Sequence, residues 1–472
     1  MRPFLLALHT NLTMNLKDWQ YSSTALSTLL RMSGPMVVSQ GAFAIMIFTD
    51  RYFLAQLGPI HMAAALGGGV AWYFSISLLN GILAYATALV AQYLGANELA
   101  KCSRVITQGL ILALASTPLL ILVGLVMRNI FAGMGHAPEQ VELEITYYSI
   151  LMFCSVTTLI KVCLSTFFSG IGRTKVVMTS EVLGILFNIP LTWCLIFGKA
   201  GLPAFGIAGA AYGTVISTVF TISIYLLFYL AKQNRERFSI AASLIFDRGI
   251  TKRYLRLGFP SGLEMFLNVA AFNLFLLMFQ SYGIPEAASA TIVFNWDMLS
   301  FVPLLGLNIA VMSMIGRFVG ANDMHKANEV TTAGYILGIG YSLLLALVFL
   351  LFRDQLVEVF IFYEQGAAEI RSLSHFMMVG LSCYVLCEGM LQVASGVLRG
   401  AGDTRWAMWA STSLHWTMLV VQFFIIKVFA LGPRISWIAF VIMILGIACV
   451  FIARLASNRW RDPDKLIAIM AE

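Results

Sequence analysis

Apolar stretches long enough to cross a lipid bilayer recur about every 35 residues along the whole chain. About 20 such residues, at 1.5 Å rise each, span the roughly 30 Å of hydrocarbon. Backbone groups in that environment must be satisfied within the segment, so each stretch is required to be a helix. Twelve spans are read this way, at approximately 32–57, 64–93, 105–128, 144–169, 177–198, 206–231, 257–282, 286–316, 330–352, 374–398, 406–430 and 435–455. With 59% hydrophobic and 11% charged residues, the gaps between spans leave no room for a soluble domain. The expected fold is all-α and integral to the membrane.

Charge orients the chain. Lys101, Arg104, Arg173, Lys175, Lys232, Arg235, Arg237, Arg248, Lys252, Arg253, Arg317, Lys326, Arg399 and Arg405 all fall in one alternate set of loops. The other set holds only Arg128, Lys199, Arg353, Arg371, Lys427 and Arg434. Basic loops stay in the cytoplasm, so both termini are expected there. The start of the chain lacks the ordered basic, apolar and small-residue regions of a cleavable signal. The net charge of +7 therefore reports orientation and contact with anionic headgroups, with no sign of nucleic acid binding. Six of the seven cysteines (Cys154, Cys163, Cys194, Cys383, Cys387 and Cys449) sit in apolar spans and read as small packing residues. No cysteine or histidine spacing suits a resident metal.

The chain repeats internally. A shift of 225 residues aligns 30–112 with 255–337 without a gap and gives 18 identities. They include Arg31 with Arg256, Pro35 with Pro260, Gly58 with Gly283, Gly81 with Gly306, and Gly95-Ala96-Asn97 with Gly320-Ala321-Asn322. A second block, Gly170-Ile171-Gly172-Arg173-Thr174-Lys175, matches Gly400-Ala401-Gly402-Asp403-Thr404-Arg405. Six helices separate equivalent points, so both halves enter the membrane in the same direction, as a parallel repeat. The expected organisation is a cytoplasmic segment 1–31, a six-helix bundle 32–231, a cytoplasmic linker 232–256, a second bundle 257–455 and a cytoplasmic tail 456–472. Two such bundles are expected to face a central cleft and to suit alternating access. The repeated Gly-Ala-Asn and Gly-x-Gly stretches read as tight turns in which glycine takes a positive φ.

Several motifs in this order resemble one family. They are Asp50, Gly58 and Met62-Ala63-Ala64; "GANELAK" with "GANDMHK"; "GIGRTK" with "RGAGDTR"; "NIPLTWCLIFGKAGLPAFGIAGAAYGT" over 188–214; and "LGFPSGLE". Together, from about 25 to 455, the chain resembles the multidrug and toxic compound extrusion family, in particular its bacterial NorM-like branch. The resemblance implies a secondary antiporter that exports organic cations or amphipathic drugs in exchange for Na+ or H+. It also implies a cation site in the first bundle at Asp50, Asn188 and Thr214, with Thr192 one turn from Asn188. A Na+ ion at Asp50 would be the sole metal, and no cofactor is implied.

In the second bundle the family pattern places a glutamate where this chain has Asn268. Glu264 stands one turn earlier on the same helix face. Glu388 occupies the family's acidic position ten residues before "LRG", and Asp297 adds a further carboxylate. These four are expected to serve coupling or to line the substrate cleft. An ionisable group inside a membrane span is a functional candidate by default. For Asp50 the plainer role is an ion pair with Arg51, but helix neighbours point about 100° apart and pair poorly. Glu264, soon after Pro260, can equally serve a helix dipole, and Glu181, close to "GRTK", reads as structural.

No GxxxxGK[ST] element is present, so an ion gradient, not ATP, is the expected energy source. A lipid-linked precursor flippase of the same superfamily would need a strongly cationic cleft, whereas the intramembrane charges here are mainly acidic. A membrane-embedded enzyme would need a nucleophile, base or metal constellation, and none is visible. The expected protein is a monomer in a bacterial inner membrane.

Overall fold

In a computed structural model of the chain, residues 20–133, 137–361, 367–462 and 466 are described. Most of the expected segment 1–31 and of the expected tail 456–472 lies outside them. In order, the helices are α1 (Ser23–Ala55), α2 (Pro59–Ala84), α3 (Ala86–Gly95), α4 (Leu99–Ala115), α5 (Thr117–Gly133), α6 (Pro138–Phe153), α7 (Ser155–Gly170), α8 (Thr174–Phe197) and α9 (Ile207–Tyr229). They continue as α10 (Lys232–Arg237), α11 (Arg248–Gln280), α12 (Ile284–Gly320), α13 (Met324–Leu351), α14 (Arg353–Glu358), α15 (Ala367–Ala401), α16 (Thr404–Phe423) and α17 (Pro433–Ala456). A π-helical turn, Phe424–Val428, extends α16. No strand occurs among the described residues.

Among the described residues, eleven helices or near-continuous pairs are long and apolar enough to cross a bilayer, and the bent pair α6 and α7, taken as one span, makes a twelfth. The fourth span, expected over 144–169, turns by 47° at Cys154. There is no proline there. Ser155 Oγ donates to the Leu151 carbonyl at 2.9 Å and Thr157 Oγ1 to that of Cys154 at 2.7 Å. Hydroxyls bonded back to the preceding turn compete with the helical ladder and bend it.

The repeat is visible in backbone detail. α1 and α11 each have 33 residues with an internal proline, Pro35 and Pro260. Gly172 and Gly402 take φ of 77° and 88° in equivalent turns. In the paired Gly-Ala-Asn turns, however, the positive φ belongs to Asn97 (61°) and Asn322 (55°), not to glycine. Asparagine enters this region readily because its short amide bonds locally. Gly95 and Gly320 instead end α3 and α12.

Contacts divide the chain into two compact units whose borders fall inside α1 and α11. One contains residues 34–266. Its core joins Leu54, Ala64, Tyr147, Leu151, Ile196 and Ala210. Close approach of α8 and α9 depends on small residues: a side chain at Gly209 would meet the Leu195 carbonyl, and one at Gly184 would meet Thr221 Oγ1. This is how membrane helices gain packing when lipid supplies no hydrophobic drive between them. The other unit holds the described residues from 267 onward together with those before Gly34. Leu307, Val311 and Ile315 of α12 pack there with Val393 and Val397 of α15, Phe451 of α17 and Leu29 of α1. A second cluster stacks Phe275 on Phe440 and Phe440 on Trp437.

Candidate functional site

Asp50 lies in the penultimate turn of α1 and is 5% exposed. Its Oδ2 accepts a hydrogen bond of 3.2 Å from Thr214 Oγ1 on α9, and its Oδ1 is buried without a hydrogen-bond partner. Arg51 is exposed and forms no ion pair with it among the described residues. The direction of the two side chains explains this, since neighbours on a helix diverge. Tyr147 of α6, nine-tenths buried, lies within electrostatic reach of both Asp50 and Arg51.

The neighbouring stretch of α9 gathers the other two residues. Ser217 Oγ stands one turn beyond Thr214, donates to the Thr214 carbonyl at 3.0 Å, and accepts from Asn188 Nδ2 at 3.1 Å. Asn188 is fully buried, and its Oδ1 has no partner. Thr192 is also fully buried with an unpartnered Oγ1, and it sits against Gly213, where a Cβ would strike that hydroxyl. The structure therefore joins Asp50 directly to Thr214, and brings Asn188 and Thr192 to the same face of α9 through Ser217 and Gly213. Neither Asn188 nor Thr192 bonds to Asp50.

Leaving a buried acceptor unpaired costs about 1–3 kcal/mol. Three such oxygens, of a carboxylate, an amide and a hydroxyl, occur beside this one face of α9. A proton or a small hard cation is the chemistry such oxygens take, since a carboxylate and an amide oxygen can only accept. Ser217 could have been found from its spacing to Thr214, three residues away on a helix. Nothing in the sequence points to Tyr147.

In the unit containing 267–471, Asp297 of α12 and Glu388 of α15 interact electrostatically, with Tyr384 in the field of both. Asp297 Oδ1, Glu388 Oε2 and the Tyr384 hydroxyl are buried without well-formed hydrogen bonds. Tyr341 also feels Glu388 while donating to the Ser300 carbonyl at 3.0 Å. Tyr384 precedes Glu388 by four residues, a spacing that places both on one face. Two neighbouring carboxylates repel, and a shared proton or cation relieves that repulsion.

Asn268 and Glu264 both stand on α11. Asn268 Nδ2 donates to Ser411 Oγ of α16 at 2.7 Å, and the Ser411 carbonyl approaches His415 Nδ1 at 2.8 Å. Glu264 is buried in the other unit, on the part of α11 where Gly262 packs against Ile82 of α2. One turn of α11 thus separates two residues that the sequence grouped together. Glu181 pairs with Lys161 at 3.1 Å and accepts from Tyr225 Oη at 3.1 Å, which joins α7, α8 and α9. No group of three metal-ligating side chains occurs among the described residues.

Against known proteins, the family model described as MatE matches residues 35–194 and 260–424. Multidrug resistance protein MdtK of Yersinia pseudotuberculosis serotype O:1b (strain IP 31758) is 25% identical over 442 residues, covering 92% of this chain and 95% of that protein. The probable multidrug resistance protein NorM of Pasteurella multocida (strain Pm70) is 24% identical over 447 residues, covering 93% and 95%. Among solved structures, a MOP superfamily transporter from Pyrococcus furiosus Vc1 (DSM3638) aligns with a TM-score of 0.84 at 22% identity, covering 94% of this chain and all of that one. An outward-facing multidrug resistance MATE family transporter aligns at 0.83, also at 22% identity, covering 94% and 99%. At this identity the structural matches establish the fold.

Proposed function

Because the chain belongs to the MatE family, we propose that it exports organic cations or amphipathic drugs, coupled to inward Na+ or H+ through the carboxylate of Asp50. As a member of that family it is an ion-coupled membrane antiporter and not an enzyme. The observation that carries the proposal is the buried Asp50 carboxylate. It receives one hydrogen bond from Thr214 and keeps its second oxygen unpaired, with the acceptor oxygens of Asn188 and Thr192 on the same face of α9.

Charge neutralisation at Asp50 changes what α1 gains from α9. A carboxylate accepts from Thr214; once protonated or bound to Na+, it is a weaker acceptor or one partner among several. An ion that binds two conformations with different affinity shifts their populations by that difference. Alternating access needs nothing further from this residue than such a bias. Each unit charge moving down 100 mV contributes about 2.3 kcal/mol.

Asp297 and Glu388 supply a second acidic locus, and Asn268 offers a polar group in the same unit. We assign to Asp297 and Glu388 the attraction of a cationic substrate or a second coupling ion. The flippase alternative is not favoured, because the candidate residues in both units carry carboxylates where a pyrophosphate would need cations. The protein is proposed to act as a monomer in the inner membrane with both termini cytoplasmic, its bundles 32–231 and 257–455 joined by the linker 232–256.

Ethidium efflux from proteoliposomes, driven separately by an imposed Na+ gradient and an imposed H+ gradient, tests this function. One gradient should accelerate efflux, and that gradient names the ion. If neither moves the dye, or if both act only through membrane potential with no ion specificity, the coupled-export proposal is wrong.

A further inference from the structure

The chain between α9 and α11 leaves three consecutive large apolar side chains turned outward. Leu244, Ile245 and Phe246 are 71%, 54% and 63% exposed. Their backbone is nevertheless fixed. The side chain of Gln108, buried on α4, donates to the Ile245 carbonyl at 2.8 Å and accepts from Asp247 N at 3.2 Å and Thr251 Oγ1 at 3.1 Å. Ser103 Oγ donates to the Phe238 carbonyl at 2.7 Å, and Arg104 pairs with Asp247 at 3.4 Å. The segment is thus held along the first half of α4 while its apolar side chains point away from the protein.

Three spans, one of them made of α4 and α5, bear on the height of this segment relative to the bilayer. On α4 and α5 the outward apolar stripe begins at Ile111, one turn beyond Gln108, and continues through Leu114, Leu122 and Ile130. On α11 the outward positions Arg248 and Lys252 give way to Leu255 and Phe259 on the same stripe, at spacings of four, three and four residues. α9 ends in the exposed Leu226, Leu227 and Phe228, and Lys232 follows. On α9 and α11 the change from basic to apolar outward residues, and on α4 the start of the apolar stripe, are the positions where headgroups would meet hydrocarbon. Leu244–Phe246 lie beside Gln108, at that level.

We propose that residues 232–252 form a lipid-binding anchor, in which Leu244, Ile245 and Phe246 insert at the cytoplasmic boundary of the bilayer and the exposed Arg235, Arg237, Arg248 and Lys252 hold anionic phospholipid headgroups. The apolar patch is fixed to Gln108, one turn before the exposed apolar stripe of α4 and α5, and the surrounding charge complements an anionic leaflet. Apolar side chains backed by Lys and Arg are the combination that binds membrane surfaces. Clusters of basic residues immediately cytoplasmic of a span favour anionic lipid. The consequence for the transporter is that the linker between the repeats rides on the bilayer surface, so its position responds to lipid charge.

The test uses the full chain in proteoliposomes of phosphatidylcholine and phosphatidylglycerol at three to one. A benzophenone amino acid replaces Phe246 in one variant and, as an aqueous reference, the exposed His325 in another. Illumination should attach phospholipid at position 246 in clear excess over position 325. The ratio of phosphatidylglycerol to phosphatidylcholine in those adducts should exceed its bulk value of one to three by about fivefold for each basic residue engaged, and Arg248→Gln with Lys252→Gln should reduce that excess. Adducts at position 246 that do not exceed those at 325, or that join two copies of the chain in place of lipid, overturn the anchor. Lipid adducts with no preference for phosphatidylglycerol overturn the role of the basic residues.

Discussion

At the scale of single residues, the account depends on which oxygens are left without partners. Thr214 gives Asp50 its one hydrogen bond, and a bond to a charged group is worth about 1.5–3 kcal/mol. Thr214→Ala should therefore raise the ion concentration for half-maximal coupled efflux about tenfold or more, while Thr214→Ser stays near native; an unchanged ion dependence in the alanine variant would count against the contact. In the other unit, Asp297 and Glu388 act on one another, so their effects should not add. Glu388→Gln and Asp297→Asn should each slow efflux, and the double variant should be little slower than the worse single one. Strictly multiplicative losses would show two independent groups.

Asp50 and Thr214 were legible from motif alone, and so were Asn188 and Thr192 as residues of one face of α8. The contribution of Ser217 as the bridge was available from helical spacing but carried no chemical oddity to attract notice. Tyr147 was not legible, because a tyrosine in an apolar span reads as packing until its neighbours are known. Glu264 and Asn268 show the opposite limit. Four residues apart on one helix face, they look like a pair, yet the part of α11 that holds Glu264 packs against Ile82 through Gly262, whereas Asn268 bonds to Ser411 of α16.

Among elements, α8 and α9 carry the site because they approach closely enough for Thr192 to meet the backbone of Gly213. Gly209→Ala would push a methyl group into the Leu195 carbonyl and should destabilise the purified protein by about 1–3 kcal/mol, the usual cost of overpacking. Gly41, also in a helix, has open space where its Cβ would stand. Gly41→Ala should be neutral or stabilising by up to about 1 kcal/mol, from helix propensity alone. Thermal unfolding of both variants checks the contrast, and equal behaviour would refute the packing account. Helix positions followed from apolar length, but the 47° turn between α6 and α7 did not, since no proline marks it and hydroxyls bonded back to the preceding turn, as at Ser155 and Thr157, also occur along the unbroken α9. Likewise the positive φ of the Gly-Ala-Asn turns sits on asparagine, a choice that composition leaves open.

For the whole molecule, the internal repeat was the most readable feature, and it survives in helix length, internal prolines and turn conformation. The repeat does not extend to the acidic residues. Asp50 on α1 has Phe275 as its counterpart at the shift of 225, and the second unit carries its carboxylates on α12 and α15 instead. The two halves therefore share a backbone plan and differ in where their carboxylates stand, and under the function proposed above one half would take the driving ion and the other a cationic cargo or a second ion. The most direct test of that division is ethidium efflux by Asp50→Asn in proteoliposomes, under the gradient that drives the native chain, beside Glu388→Gln. The account predicts that Asp50→Asn loses its response to the gradient while still binding ethidium. A response equal to that of the native chain would contradict it and move coupling to Glu388 and Asp297.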